Sequence, residues 1–269
     1  MNIKRPKNLP DFTLPPLNEL VMAVQFEKPK QFSDAHVGHI WSLYRDKYPI
    51  CQQQPSRPPN FETFGAGNTS SFNLNFGPPG SRYLFSSEDG QNLLQYQSDI
   101  LVKNWKTNTP DGTDYPRFEN IIDEFSKEFN LLDKFHTETF QSPLSINQAE
   151  LTYVNILPLD NSKGLATSSE WINFLNTEDL QTESIATTLT EVIRNEKEEP
   201  IARLIYTCHS ASGPNTERAL KLDISFRGAP SANSFDCAKD FLSTGRKEIV
   251  KAFVKITTSN AHELWGRVQ

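Results

Sequence analysis

From Ala219 to Arg227 the chain alternates without a break: Leu220, Leu222, Ile224 and Phe226 are apolar, while Lys221, Asp223, Ser225 and Arg227 are polar. Successive residues of a strand point to opposite faces, so this segment fits a strand with one face buried and the other in water. The same period recurs at Glu19 to Glu27, where Leu20, Met22, Val24 and Phe26 share a side, and at Ser71 to Phe76 through Phe72, Leu74 and Phe76. Parallel sheets are covered on both faces and read as continuous apolar runs instead. The alternation therefore predicts a mainly antiparallel sheet buried on one face. It also accounts for a chain that is only 36% apolar, with a mean hydropathy of −0.54.

Helical stripes separate the strands. Val37, Ile40, Trp41, Tyr44 and Tyr48 follow a Ser33 cap and stop at Pro49. Phe118, Ile121, Ile122, Phe125, Phe129 and Leu132 mark a helix over Tyr115 to Phe135, with Pro116 in its first turn. A short helix is expected over Ser168 to Asn176 and a long one from Ser234 to Ile256. Thr258 or Ser259 would cap a last helix running to Trp265. Arg82 to Ser87 and Gln91 to Trp105 flank the turn signal Asp89-Gly90. Residues 51–69 are rich in Gln, Pro, Ser and Gly and read as loop. Ile146 to Leu157, Ser184 to Asn195 and Ile201 to His209 read as further strands. Each half, 1–140 and 141–269, thus runs strand–helix–strand–strand–strand–helix. The expected fold is α+β and two-layered, an internal duplication packed as one unit with long helices over an antiparallel sheet.

Charge narrows the function classes. The chain has 269 residues and a net charge of −6. Residues 1–140 hold 14 basic and 17 acidic residues, and residues 141–269 hold 13 and 16, so each half is at −3. Neither has the basic excess of a dedicated nucleic-acid domain. Cys51, Cys208 and Cys237 are odd in number and widely spaced, which fits a reducing cytoplasm better than a disulfide framework. No apolar run suits a signal peptide or a membrane span.

Several segments carry a resemblance. They are Leu14-Pro-Pro-Leu17 before Glu19-Leu-Val-Met-Ala-Val-Gln-Phe26, Tyr44-Arg-Asp-Lys-Tyr-Pro49, Leu94-Gln-Tyr-Gln97 leading to Val102-Lys-Asn-Trp105, Tyr115-Pro-Arg-Phe118, Glu150-Leu-Thr-Tyr-Val-Asn155, and Thr257-Thr258 to His262 and Trp265. Together they span nearly the whole chain, which resembles a sporadically distributed family of uncharacterised bacterial proteins of about this size. The resemblance implies horizontally moved genes, such as toxin–antitoxin or phage-defence loci. It implies no catalytic residue.

Motifs that carry chemistry are sparse. No GxSxG elbow or SxxK occurs. Cys208 and His209 are strand neighbours and must face opposite ways. His36 and His39 share a helix side, and a zinc site there would need a third ligand such as Asp34 or Glu27, with no HExxH pattern nearby. Gly65-Ala-Gly67 is followed by no lysine and opens no helix, so it is not a phosphate loop. Asp123, Glu124 and Glu128 read as exposed helix acids. No catalytic residue, metal site or cofactor is expected. Arg246, Lys247, Lys251 and Lys255 lie on the last long helix; they suit its C-terminal dipole, and they are where phosphate contact would occur. The strongest candidate surface is the rim where strands meet helices: Asn104, Trp105, Tyr115 and Arg117 in the first half, Arg227 in the second, with His262 and Trp265 folding back. Trp, Tyr and Arg are enriched at binding hot spots.

These readings point to a non-enzymatic cytoplasmic binding protein that engages a protein partner, such as a toxin or defence effector encoded nearby. The alternative is a small-molecule or nucleotide sensor with a pocket between the halves, built on Trp105, Arg117 and Arg227. An enzyme with dispersed residues would draw on His209, Asp223 and Cys237. Nucleic acid enters only through the 246–255 stripe, and a homodimer stays open.

Overall fold

The structure is a computed structural model that describes residues 9–65, 80–109, 112–160, 165–177, 180, 182–212 and 218–268. Among the described residues nine strands form one sheet: β1 (Leu17–Phe26), β2 (Ile50–Pro55), β3 (Ser81–Ser86), β4 (Asn92–Gln97), β5 (Ile100–Lys106), β6 (Ile146–Pro158), β7 (Ala186–Arg194), β8 (Pro200–Ser212) and β9 (Arg218–Gly228). Their order is β2-β3-β4-β5-β1-β6-β9-β8-β7, and every neighbouring pair is antiparallel. The helices are α1 (Ala35–Ser42), α2 (Phe118–Phe140), α3 (Ser168–Trp171), α4 (Phe235–Ile256) and α5 (Ser259–Leu264). The fold class is α+β, as the alternation requires.

Register sorts the side chains into two faces. On one, Met22 of β1 lies opposite Leu151 of β6 and Lys103 of β5, and Leu151 lies opposite Phe226 of β9. Met22, Leu151, Lys103 and Phe226 are fully buried. α4 packs against β6 and β9 on this side, close enough that a Cβ on Gly245 would stand 2.6 Å from the Phe226 ring. On the other face, Ala23 lies opposite Val102 and Glu150, and Glu150 opposite Arg227. That face is polar and partly exposed.

The elements depart from expectation in places. β2, from its second residue on, falls inside the stretch 51–69 expected to be loop. Its residues are all exposed, so no periodic burial marked it. Gln91 to Trp105 is two strands rather than one, because the chain reverses at Ser98-Asp99 and pairs Gln97 with Ile100. In α1 the cap is Asp34, not Ser33, and the regular helix ends at Ser42. α2 starts later than Tyr115, because Arg117 takes a positive φ of 76°, and it runs on to Phe140 before Gln141 ends it at φ 55°. The continuation keeps the stripe, since His136 and Phe140 follow Leu132 at i+4 spacing. α3 is a single turn held by the reciprocal Thr167–Glu170 capping box. Ser234 and Thr258 cap α4 and α5 as expected. The strand expected at Ser71 to Phe76 lies outside the described residues.

Candidate functional site

Antiparallel pairing of β1 with β6 decides which expected site residues meet. Lys106, at the end of β5, is opposite Glu19, whereas Gly228, at the end of β9, is opposite Ala149, itself across from Val24. The two strand-to-helix junctions therefore sit at opposite ends of the sheet rather than at one rim. Trp105 and Arg227 differ further in face. Trp105 points into the core, 1% exposed, with its ring 5.1 Å from Tyr115. Arg227 points to the open face. Arg117 reaches Asp11 at 3.3 Å.

His262 and Trp265 fold back to the Trp105 end, as part of the core. His262 is 2.7 Å from the Thr257 hydroxyl, and burial, then Arg267, holds its pKa below the usual histidine range. Trp265 stacks on Trp171 at 5.4 Å and packs edge-on against Phe12. A cavity of about 90 Å³ lies beside Tyr115, Arg117 and Arg246. It is far below the roughly 300–1,000 Å³ of ligand pockets. Burial raises the pKa of both Tyr115 and Tyr153 at its wall.

The basic stripe is largely engaged with carboxylates. Arg246 pairs with Glu119 at 2.5 Å and covers the Phe118 ring, Lys251 pairs with Glu248 at 3.3 Å, and Lys255 pairs with Glu191 at 3.5 Å. Lys247 is exposed. His209 and Asp223 share the open face on neighbouring strands, but Cys237 belongs to the start of α4, beyond the opposite end of β9. Among the described residues no three His, Cys, Asp or Glu side chains gather where they could hold a metal.

The larger concavity is on the open face. A groove of about 640 Å³ has Val21, Ala23, Val102 and Val154 on its floor and Glu19, Asn104, Glu150 and Asp223 among its walls. It crosses strands of both halves. A polar chain runs along one side: Arg82 donates to Gln95 at 3.2 Å, Gln95 to Asn104 at 2.7 Å, and Asn104 to Glu19 at 2.5 Å. Thr152 and Ser225 share a 2.7 Å hydrogen bond across β6 and β9. Burial raises the Glu150 pKa, against the opposing pull of Arg227. Asp223 takes Lys221 at 2.7 Å on one oxygen, and its other oxygen is buried and, among the described residues, has no hydrogen-bond partner.

One end of the groove is closed by the backbone of residues 56–62, which crosses the strands as a strap. Three glutamines hold it. Gln97 accepts from the Arg57 N–H and donates to the Arg57 carbonyl, both at 2.9 Å. Gln25 does the same for Asn60 at 2.7 and 2.6 Å, and Gln148 accepts from the Glu62 N–H at 3.3 Å. The Glu62 carboxylate is buried between Arg203 and Arg227. Gln97, Gln25 and Gln148 lie in one row of the sheet, through Ile100. Glutamines at outward positions of three strands are the sequence signal for this device, which the search for catalytic motifs does not reach.

A second polar cluster was also missed. Lys103, at an inward position of β5, is fully buried and reaches Tyr48 Oη at 2.5 Å and Glu128 Oε1 at 3.0 Å. Glu128 is therefore not the exposed helix acid expected; it is 6% exposed and faces the sheet. No family model and no curated protein matches the chain.

Proposed function

We propose that this is a non-enzymatic cytoplasmic binding protein that engages a protein partner through the open face of its sheet. The observation that carries the reading is the groove of about 640 Å³, which spans strands from both halves and is lined by polar side chains over an apolar floor. The reading takes residues 1–140 and 141–269 as duplicated units in two layers. In support, the last strand of each half pairs with that half's first strand, and the two first strands pair with each other. No helix among the described residues is long and apolar enough to cross a membrane, which is compatible with that location. A toxin or defence effector encoded nearby is the kind of partner that the bacterial family resemblance suggests.

A pull-down from native lysate tests this, with Ala23→Arg placing a long side chain on the groove floor and Lys251→Glu as a control on α4. The reading predicts a stoichiometric partner that Ala23→Arg loses and Lys251→Glu keeps. Absence of a stoichiometric partner, or capture indifferent to Ala23→Arg, contradicts it. The second reading, a small-molecule or nucleotide sensor, is favoured by the groove's volume, which falls in the range of ligand pockets. Nucleotides that raise the melting temperature of the wild type but not of Ala23→Arg would select it.

A further inference from the structure

Arg82, at the start of β3, is the most exceptional charge on the open face. It is only 9% exposed, yet its guanidinium meets two neutral amides, Gln95 at 3.2 Å and Gln54 at 2.5 Å. Among the described residues its Nε has no hydrogen-bond partner and its guanidinium makes no salt bridge. The other buried or half-buried arginines of this face behave differently: Arg203 and Arg227 both take Glu62. A buried cation without a counter-charge is costly, because desolvation is not repaid.

A like charge makes matters worse. The strap brings in Arg57, whose backbone is clamped by Gln97 while the preceding residue, Ser56, donates its N–H to Gly80 at 2.8 Å, two residues before Arg82. Arg57 and Arg82 line the same groove. Two arginines thus line one concave wall, and the charge of Arg57 acts on Arg82. Burial and this like charge together pull the Arg82 pKa down.

We infer that Arg82 and Arg57 form an oxyanion subsite, which takes the carboxylate or phosphate group of whatever occupies the groove. Guanidinium forks match both groups through paired, charge-assisted hydrogen bonds. The inference rests on the reading of the open face as the binding surface and adds the chemistry of one end of it.

The test is a titration of the ¹⁵N-labelled full chain with inorganic phosphate and, separately, with succinate, following the Arg82 Nε–H resonance. The expected result is a saturable shift with at least one anion, and which one responds names the source. Arg57→Gln should weaken that affinity about tenfold or more, and Lys134→Gln, exposed on α2, should leave it unchanged. Because Arg57 is exposed, its variant reports even where Arg82→Gln fails to fold. No saturable shift with either anion, or an identical midpoint in Arg57→Gln, overturns the subsite. A captured partner that competes with neither anion, in a protein showing no anion response, sinks this inference and leaves the open-face reading standing. An anion response without any partner does the reverse.

Discussion

Lys103 Nζ lies 3.0 Å from Glu128 Oε1, and the Tyr48 hydroxyl touches both at 2.5 Å. The pair ties β5 to α2 inside the core. Burial holds the Lys103 pKa below the usual ammonium range, and the attraction of Glu128 opposes it. Removing one partner strands the other charge, which costs about 3–5 kcal/mol for buried pairs. Lys47, at 3.3 Å from the same Glu128 oxygen, softens the loss. Lys103→Met should therefore cost about 3 kcal/mol in urea unfolding. Lys103→Met with Glu128→Leu should recover part of that; a double variant no better than the sum of its singles would show that the two are not coupled.

Two helix glycines should respond in opposite directions to alanine. At Gly245 the new Cβ would meet Phe226 Cδ1 at 2.6 Å, in a fully buried ring that cannot give. Overpacking there should cost about 1–3 kcal/mol. At Gly38, in α1, nothing lies within 4 Å, so Gly38→Ala should stabilise by about 0.4–1 kcal/mol. Thermal melts of both variants check this, and a stabilising Gly245→Ala would contradict the close approach of α4 to β9.

His136 gives the stability a pH dependence. It is 1% exposed among Phe26, Phe135 and Phe140, and burial, then His36, depresses its pKa from 6.5 to about 4. Below pH 6.5 the unfolded chain takes up a proton that the folded chain refuses, so stability falls as pH drops from about 6.5 toward 4. The contribution is at most about 3 kcal/mol. His136→Phe should flatten the unfolding free energy over that window; an unchanged slope would assign it to other groups.

The strap should open locally rather than globally. The Gln25 side chain makes two hydrogen bonds to the Asn60 backbone, so Gln25→Ala should speed amide exchange at Asn60 about tenfold while global stability falls by only about 1–2 kcal/mol. Exchange that rises equally in the central strands would mean that the strap is part of the cooperative core.

Much of the fold was legible because burial in a sheet has period two. Leu220 to Phe226 and Leu20 to Phe26 identify their strands by alternation alone, and Ser234 and Thr258 announce their helices as caps. β2 was not legible, since an exposed edge strand of Ile, Cys and Gln carries no burial pattern. The candidate rim failed for a topological reason. Single segments reveal which face a residue takes, but only the antiparallel β1–β6 seam sets the two halves head to tail and parts Trp105 from Arg227. The Lys103–Glu128 pair was hidden because a lysine at an inward strand position has no partner visible in its own segment. The outward polar positions, by contrast, mark the open face in the sequence itself.

The central claim is that the open face is the occupied one. Carboxyl-group labelling of Glu19, Glu150 and Asp223, in the free protein and in the complex recovered from lysate, tests it most directly. Glu138 on α2 and Glu263 on α5 serve as references on the helices. The account predicts that labelling of the three sheet carboxylates falls in the complex while the two references stay unchanged. Protection of Glu138 and Glu263 with the sheet carboxylates still labelled would contradict it.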